Sequence, residues 1–567
     1  MSGNRDSSSQ TELCNAPQRI LRVSRHNRQW RLPFCASEKG LRHRISHIFE
    51  TFQGRKRSKE KFLNPAINLN PIALSAAVLT ILILTPVVGF SYDWLQFNGN
   101  PQHSGNNASE TIINPGNVNR LGKLFQVTLP SVADGSPVYL SSVSTRNGLK
   151  NLIFVTTKAG HIIALDAKTG DQVWSRQNPD GTCRINNGIP DCYTTSSPAL
   201  DPDRRFVYSY GLDGFVHKYR VGDGTEITGH GWPELASLKP FDEKGSSALS
   251  IAVTRNGIGY LYVTNGGYPG DAGDYQGHVT SINLANGSQK VFNADCSNLA
   301  VHFLETPGTP DCVDVQSAIW ARAGVVYSSI TDKIYMATGN GDFLPGAFAW
   351  GDTVFALHPA GTGVDGGPLD SYTPATFLQL QITDSDLGST APAILPVPAK
   401  SKVRNLAVQS GKDQLLRLLD LDNLSGRSGT GNVGGEIGTT ISVPQGGEVL
   451  TTPAVWVQPV LNTTWVFIAN DNGISGLKLV IDRVGNPSLQ TVWQSLNGGT
   501  SPIVAHGVLF YIGSGFVRAL DPATGQLLWQ DALIGGIHWE SPIVVNGKLY
   551  FTDENANLTA YEITNAK

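Results

Sequence analysis

The stretch TSPIVAHGVLFYIGSGFVRALDPATGQLLWQ, Thr500 to Gln530, decides the architecture of this chain. Its apolar runs are short, rich in Val, Ile, Tyr and Phe, and cut by His506-Gly507, Ser514-Gly515 and the Asp521 to Gly525 turn. Runs of that length between turn residues predict an antiparallel meander of three or four strands.

The same phrase recurs outward from it. A small polar residue opens an apolar run at Ser136, Ser197, Ser246, Ser317, Thr390, Thr452, Ser501 and Ser541. Ser136 and Ser541 lie 405 residues apart over seven intervals, a mean near 58. That spacing is too long for a helical solenoid unit and suits the blade of a β-propeller with inserted loops. The composition agrees: Gly 61 and Pro 32 are abundant, and only 16% of the 567 residues are charged. We therefore expect an all-β, eight-bladed propeller over residues 92–567, closed by a strand from the segment Lys123 to Pro130.

Upstream the chain changes character. Met1 to Lys61 carries 14 Lys/Arg against 5 Asp/Glu, net +9, so the remainder carries 29 against 41, net −12. Between them PIALSAAVLTILILTPVVGF, Pro71 to Phe90, has no charge over a length that can span a bilayer. This pattern predicts a basic cytoplasmic tail over 1–70, a transmembrane signal-anchor or signal peptide over 71–91, and a body in the periplasm or outside the cell. The overall charge of −3 gives no basis for a nucleic-acid partner. Four cysteines of the body fall as Cys183 with Cys192 and Cys296 with Cys312, the spacing of two short-range disulfides in an oxidising compartment. Serine-hydrolase and P-loop chemistry find no support, because neither signature occurs.

Two phrases, GHIIALDAKTGDQVW (Gly160 to Trp174) and GFVRALDPATGQLLW (Gly515 to Trp529), resemble the repeat of pyrroloquinoline quinone (PQQ) propellers. The opening DWLQFNGNPQHSGNN, Asp93 to Asn107, is similar to the start of quinoprotein-like domains. The resemblance implies one of two functions. One is oxidation of an alcohol or sugar with PQQ and Ca²⁺. The other is a non-catalytic scaffold, similar to the outer-membrane barrel assembly lipoprotein, that binds a protein partner on one face.

For the first, the resemblance implies a site in the middle of the chain. IWARAGVVYSSITDKIYMATGNGDF, Ile319 to Phe343, matches the family stretch with the cofactor-stacking Trp and the calcium Asn, giving Trp320 and Asn340. ITDSDLGSTAPAIL, Ile382 to Leu395, stands where the family places its catalytic base, giving Asp384 or Asp386, and Lys412 in QSGKDQLLRLLD would reach the quinone oxygens. Asp271 or Asp274 would take the place of the calcium Glu, oxygen donors being what a hard cation needs. Three family features are absent: the vicinal Cys-Cys, an Arg near the second blade, and the His-Asp-x-Trp-Asp form of the base segment.

Overall fold

In the seventh sheet Ile503–Ala505, Val508–Gly513, Phe516–Leu520 and Leu527–Asp531 pair antiparallel in chain order. The first two strands are joined by His506 and Gly507 alone, both at positive φ (43° and 77°), the two-residue turn whose twist matches that of its strands. Asn546 and Gly547 (51° and 73°) repeat the device in the eighth sheet. The Asp521 turn is held by its own side chain, whose Oδ1 accepts the N–H groups of Ala523 and Thr524 at 2.9 Å each.

The computed structural model describes residues 92–178, 192–269, 271, 273–305, 308 and 311–564. Eight antiparallel sheets follow one another, over 138–177, 199–235, 250–293, 326–372, 393–442, 454–495, 503–531 and 543–563. The eighth takes its outermost strand from the start of the body: Leu121–Thr128 pairs antiparallel with Asn557–Ile563. The ring expected from the repeats is present, closed by the segment expected to close it.

Two openers misplace their strands. Ser246 stands four residues before Ser250 and Ser317 nine before Val326, whereas the other six stand two or three residues ahead. The connectors stretched at those two points carry side chains to the axis, described below.

The core lies between the sheets. Each buried apolar cluster joins neighbouring blades, as where Leu140, Phe154 and Trp174 of blade 1 meet Leu200, Val207 and Tyr219 of blade 2. Tryptophans on outer strands set the fit. Trp174 Nε1 donates to Val221 O at 2.8 Å, and a Cβ on Gly224 would lie 2.5 Å from its ring. Trp493 does the same to blade 7, donating to Pro522 O at 3.0 Å across the face of Gly525. The turn glycine, Gly224 after Asp223 in blade 2 and Gly525 after Thr524 in blade 7, is thus fixed by the neighbour's indole as well as by its own turn.

The segment Asp93 to Asn107 runs round the axis along the innermost strands. Trp94 exchanges backbone hydrogen bonds with Tyr139 in blade 1, and Leu95 O accepts from Leu200 N in blade 2. The Gln96 side chain brackets Ile251 in blade 3, Pro101 O accepts from Tyr327 N in blade 4, and Ser104 O from Val455 N in blade 6. Gly105 O accepts from Val504 N in blade 7, and Asn107 Nδ2 donates to Val544 O in blade 8. Phe97, 0% exposed, lies in the buried cluster that includes Ala248, Ala321, Ala391 and Ile394, so blade 5 is met through packing.

The stretch Pro71 to Phe90 and Cys183 lie outside the described residues. Among the described residues no helix is long and apolar enough to cross a membrane. The Cys296–Cys312 disulfide is formed.

If this axial segment is part of the core, Phe97→Ala should cost about 3–5 kcal/mol, the usual range for a buried Phe. Urea unfolding of the body measures it. A loss below about 1 kcal/mol would mean the segment is only laid on the ring.

Candidate functional site

Where the innermost strands begin, the connectors between blades surround a cavity of about 520 Å³ lined by 22 residues. Its volume falls in the ~300–1,000 Å³ range of small-molecule sites. Trp320, Asn340, Asp384, Asp386, Lys412 and Asp271 all line it, although 141 positions separate Asp271 from Lys412. Asp274 does not: its carboxylate is turned to Lys239, Nζ to Oδ2 at 3.5 Å.

Local structure explains how these side chains converge. Asp384 caps the helix Phe377–Thr383 in the left-handed region (φ 51°), and Asp386 precedes the 3₁₀ turn Leu387–Ser389. Lys412 lies in the turn between Leu406–Gln409 and Leu415–Asp420, with its backbone N–H on Asp386 O at 3.0 Å. Its ammonium bridges Asp384 Oδ1 at 2.9 Å and Asp386 Oδ2 at 2.5 Å and lies 5.5 Å from the centre of the Trp320 ring. Burial works to lower the Lys412 pKa, but the two carboxylates outweigh it and hold the amine charged, above the usual lysine value.

Asn340 does not adopt the left-handed backbone for which turns favour asparagine. Its N–H donates to Asp386 Oδ1 at 2.6 Å and its Nδ2 to Asp384 Oδ1 at 3.0 Å. Its Oδ1 is buried and has no hydrogen-bond partner. Gly339, just before it, is required for close approach, since a Cβ there would collide with the Asp386 carboxylate and come within 3.0 Å of Trp320 Nε1. An orphaned amide oxygen beside two carboxylates, next to an aromatic face, fits a hard cation and a flat cofactor. Asp271 adds a further oxygen donor, its Oδ1 accepting from the Tyr275 hydroxyl at 2.7 Å.

A supporting layer holds Asn340 from behind. Ser317 N–H donates to Asn340 O at 2.6 Å, and Ser317 Oγ donates to Asp295 Oδ1 at 2.9 Å. Burial pushes the Asp295 carboxyl up to about 8, the Ser317 hydroxyl opposing.

Several lining residues carry no mark in the repeat pattern: Tyr193, Lys244, Tyr268, Arg322, His538 and Trp539. Tyr193, Arg322, His538 and Trp539 sit in the connectors before the inner strands, Lys244 in the short strand Glu243–Gly245 and Tyr268 just after the strand Gly259–Gly267. Trp539 meets Trp320 edge to face at 6.2 Å, extending the aromatic floor. Beside it His538 Nδ1 bonds Asp134 Oδ2 at 2.7 Å. Asp134, His538 and Glu554 are close enough to hold a metal, but the Lys158 ammonium already bridges Asp134 (3.2 Å) and Glu554 (2.9 Å). A groove of about 620 Å³ between blades 1 and 2 is larger, yet none of the residues singled out in the sequence lines it.

Comparison with known proteins agrees with the fold. The family model of the outer membrane protein assembly factor BamB matches residues 478–567, the last part of the ring. No curated protein sequence matches. A europium-containing methanol dehydrogenase has 17% identity and a TM-score of 0.58, covering 83% of this chain and 98% of its own. The quinohemoprotein alcohol dehydrogenase ADHIIG from Pseudomonas putida HK5 gives 13% and 0.56, covering 84% and 81%. That of Comamonas testosteroni gives 16% and 0.54, with the same coverage. The chain has the PQQ-repeat propeller fold that its repeats resemble.

The Asp295 carboxyl offers a check on this supporting layer. It stays protonated in the folded protein up to about pH 8 but ionises near 3.8 when unfolded. Its contribution to stability is therefore fully present below about pH 4 and is lost as the pH rises toward 8. We expect Asp295→Asn to lose less stability than the parent between pH 5 and pH 8, measured by urea midpoints. An equal loss in both would show that Asp295 ionises normally.

Proposed function

We propose that the body is a quinoprotein oxidoreductase that holds PQQ and a hard cation in the axial cavity and oxidises an alcohol or a sugar. The observation that carries this reading is the convergence of Trp320, Asn340, Asp384, Asp386 and Lys412 on one cavity, with the Asn340 Oδ1 left buried and unpartnered. The cofactor, its quinone carbonyl polarised by the cation, would supply the acceptor for a hydride from the alcohol carbon.

The roles of the chain's own groups follow from their surroundings. Trp320, braced edge to face by Trp539, offers the flat apolar surface on which a ring system stacks. Asn340 Oδ1 and the carboxylates of Asp384 and Asp271 are the oxygen donors open to a cation. Asp386, 6% exposed and beside Trp320, takes the hydroxyl proton of the substrate. Lys412 holds that carboxylate in place and presents a charged donor to the quinone oxygens. The cation is Ca²⁺ or, as in the europium-containing relative, a lanthanide.

We place the body outside the cytoplasm, tethered or exported through Pro71 to Phe90. The Cys296–Cys312 disulfide supports that placement. A scaffold with a protein partner on one face is the second reading, favoured by the BamB match at 478–567.

Purified body titrated with PQQ, with Ca²⁺ or a lanthanide, decides between them. We expect micromolar binding followed by cofactor absorbance, dye reduction with alcohols or aldoses, and roughly 10- to 100-fold weaker binding in Asn340→Ala and Lys412→Met. Absence of binding in the parent, or binding unchanged in both variants, would favour the scaffold.

A further inference from the structure

The two walls of the axial cavity differ in charge. On one, the Lys412 ammonium is cancelled by Asp384 and Asp386. On the other, the strand Glu243–Gly245 pairs with Asn265–Gly267 and delivers Lys244 opposite Gly266. Lys244 is 8% exposed and lines the cavity, and among the described residues its ammonium meets no carboxylate and no hydrogen-bond acceptor. It lies over two rings, Tyr193 at 4.6 Å and Tyr268 at 5.9 Å from their centres.

Arg322, 3% exposed, lies on the same wall and also lacks a carboxylate partner. Its guanidinium is spent on carbonyls, those of Thr195 (3.0 Å), Ser246 (2.8 Å) and Asp134 (3.2 Å), and its Nε is unpartnered. The nearest acid cannot serve either cation well. The Asp134 carboxylate is occupied by His538 Nδ1, Lys158 Nζ and the Trp539 N–H. Glu540 beside it is pushed up to about 9 by burial, with Asp134 adding to that, and so is neutral.

A buried cation without a counter-charge is costly to keep, and a fold retains it where a ligand supplies the missing anion. We propose that Lys244 and Arg322 form an anion subsite that takes a carboxylate of the molecule bound in the cavity, so that its acidic end points away from Lys412. This rests on the quinoprotein reading only for the source of the carboxylate, cofactor or substrate; the subsite itself rests on the two unpaired cations. Burial brings Lys244 down to about 8, Arg322 and Lys158 adding to the effect and Asp134 opposing it. A bound carboxylate would raise it again.

The test uses oxalate, a small carboxylate probe with neither a hydroxyl group nor a quinone, in calcium-free buffer with the full body. Millimolar oxalate should raise the melting temperature of the parent and of Lys244→Arg, and should leave that of Lys244→Met unmoved. No shift in the parent, or an equal shift in Lys244→Met, overturns the subsite. A second arm compares PQQ with its trimethyl ester. If the cofactor supplies the anion, Lys244→Met weakens PQQ roughly 10- to 100-fold and leaves the ester unchanged. If PQQ binds but is indifferent to Lys244→Met while the oxalate shift stands, the carboxylate belongs to the substrate. If PQQ does not bind at all and the oxalate shift stands, the cofactor reading fails and the anion subsite survives it.

Discussion

A ring of sheets places eight innermost strands around one axis, each presenting a free edge of backbone N–H and C=O groups. A buried polar group left without a partner costs ~1–3 kcal/mol, so the axis cannot simply be empty. In this protein Asp93 to Asn107 supplies the partners, reaching seven blades through hydrogen bonds in the order of the chain. The continuation of the same segment, Leu121–Thr128, then closes the ring on blade 8. Some 35 residues thus perform both tasks that a closed propeller imposes, and they leave the other end of the axis open as a cavity.

That division explains where the unusual residues lie. Along the strands the side chains obey the repeat: apolar faces pack on apolar faces, and Trp174 and Trp493 dock on the turn glycines Gly224 and Gly525 of the next blade. In the connectors above the strands the repeat is abandoned. There the chain places Trp320 and Arg322, Asp384 and Asp386, and His538 and Trp539, with left-handed backbone at Gln316, Ser317 and Asp384. Strain of that kind persists where the surrounding structure holds it, and here it surrounds the cavity.

The fold was legible because each blade repeats one local solution. The turns of blades 7 and 8, the Asp-x-x-Thr-Gly turn and the closing strand all follow from short-range chemistry that one sequence carries. Blade 4 departs from the common spacing for a physical reason: Ser317 opens a connector that detours to the axis before Val326 begins its strand. Of the site, Trp320, Asn340, Asp384, Asp386 and Lys412 could be found from the resemblance because they keep family order. Lys244, Arg322 and Trp539 could not, since their importance comes from meeting across the axis from blades distant in sequence. Asp274 shows the converse, an acid of the right type beside the right stretch whose partner proves to be Lys239.

The charge distribution gives the cavity a direction, with a neutralised pair of acids at the Lys412 side and unpaired cations at the Lys244 side. A flat ligand with an acidic end and a carbonyl end would answer both walls at once. The most direct measurement is a crystal structure of the body grown with PQQ and Ca²⁺. The account predicts planar density against the Trp320 ring, a cation on Asn340 Oδ1, and a carboxylate toward Lys244. An empty axial cavity at saturating PQQ, or PQQ bound elsewhere on the ring, would contradict it.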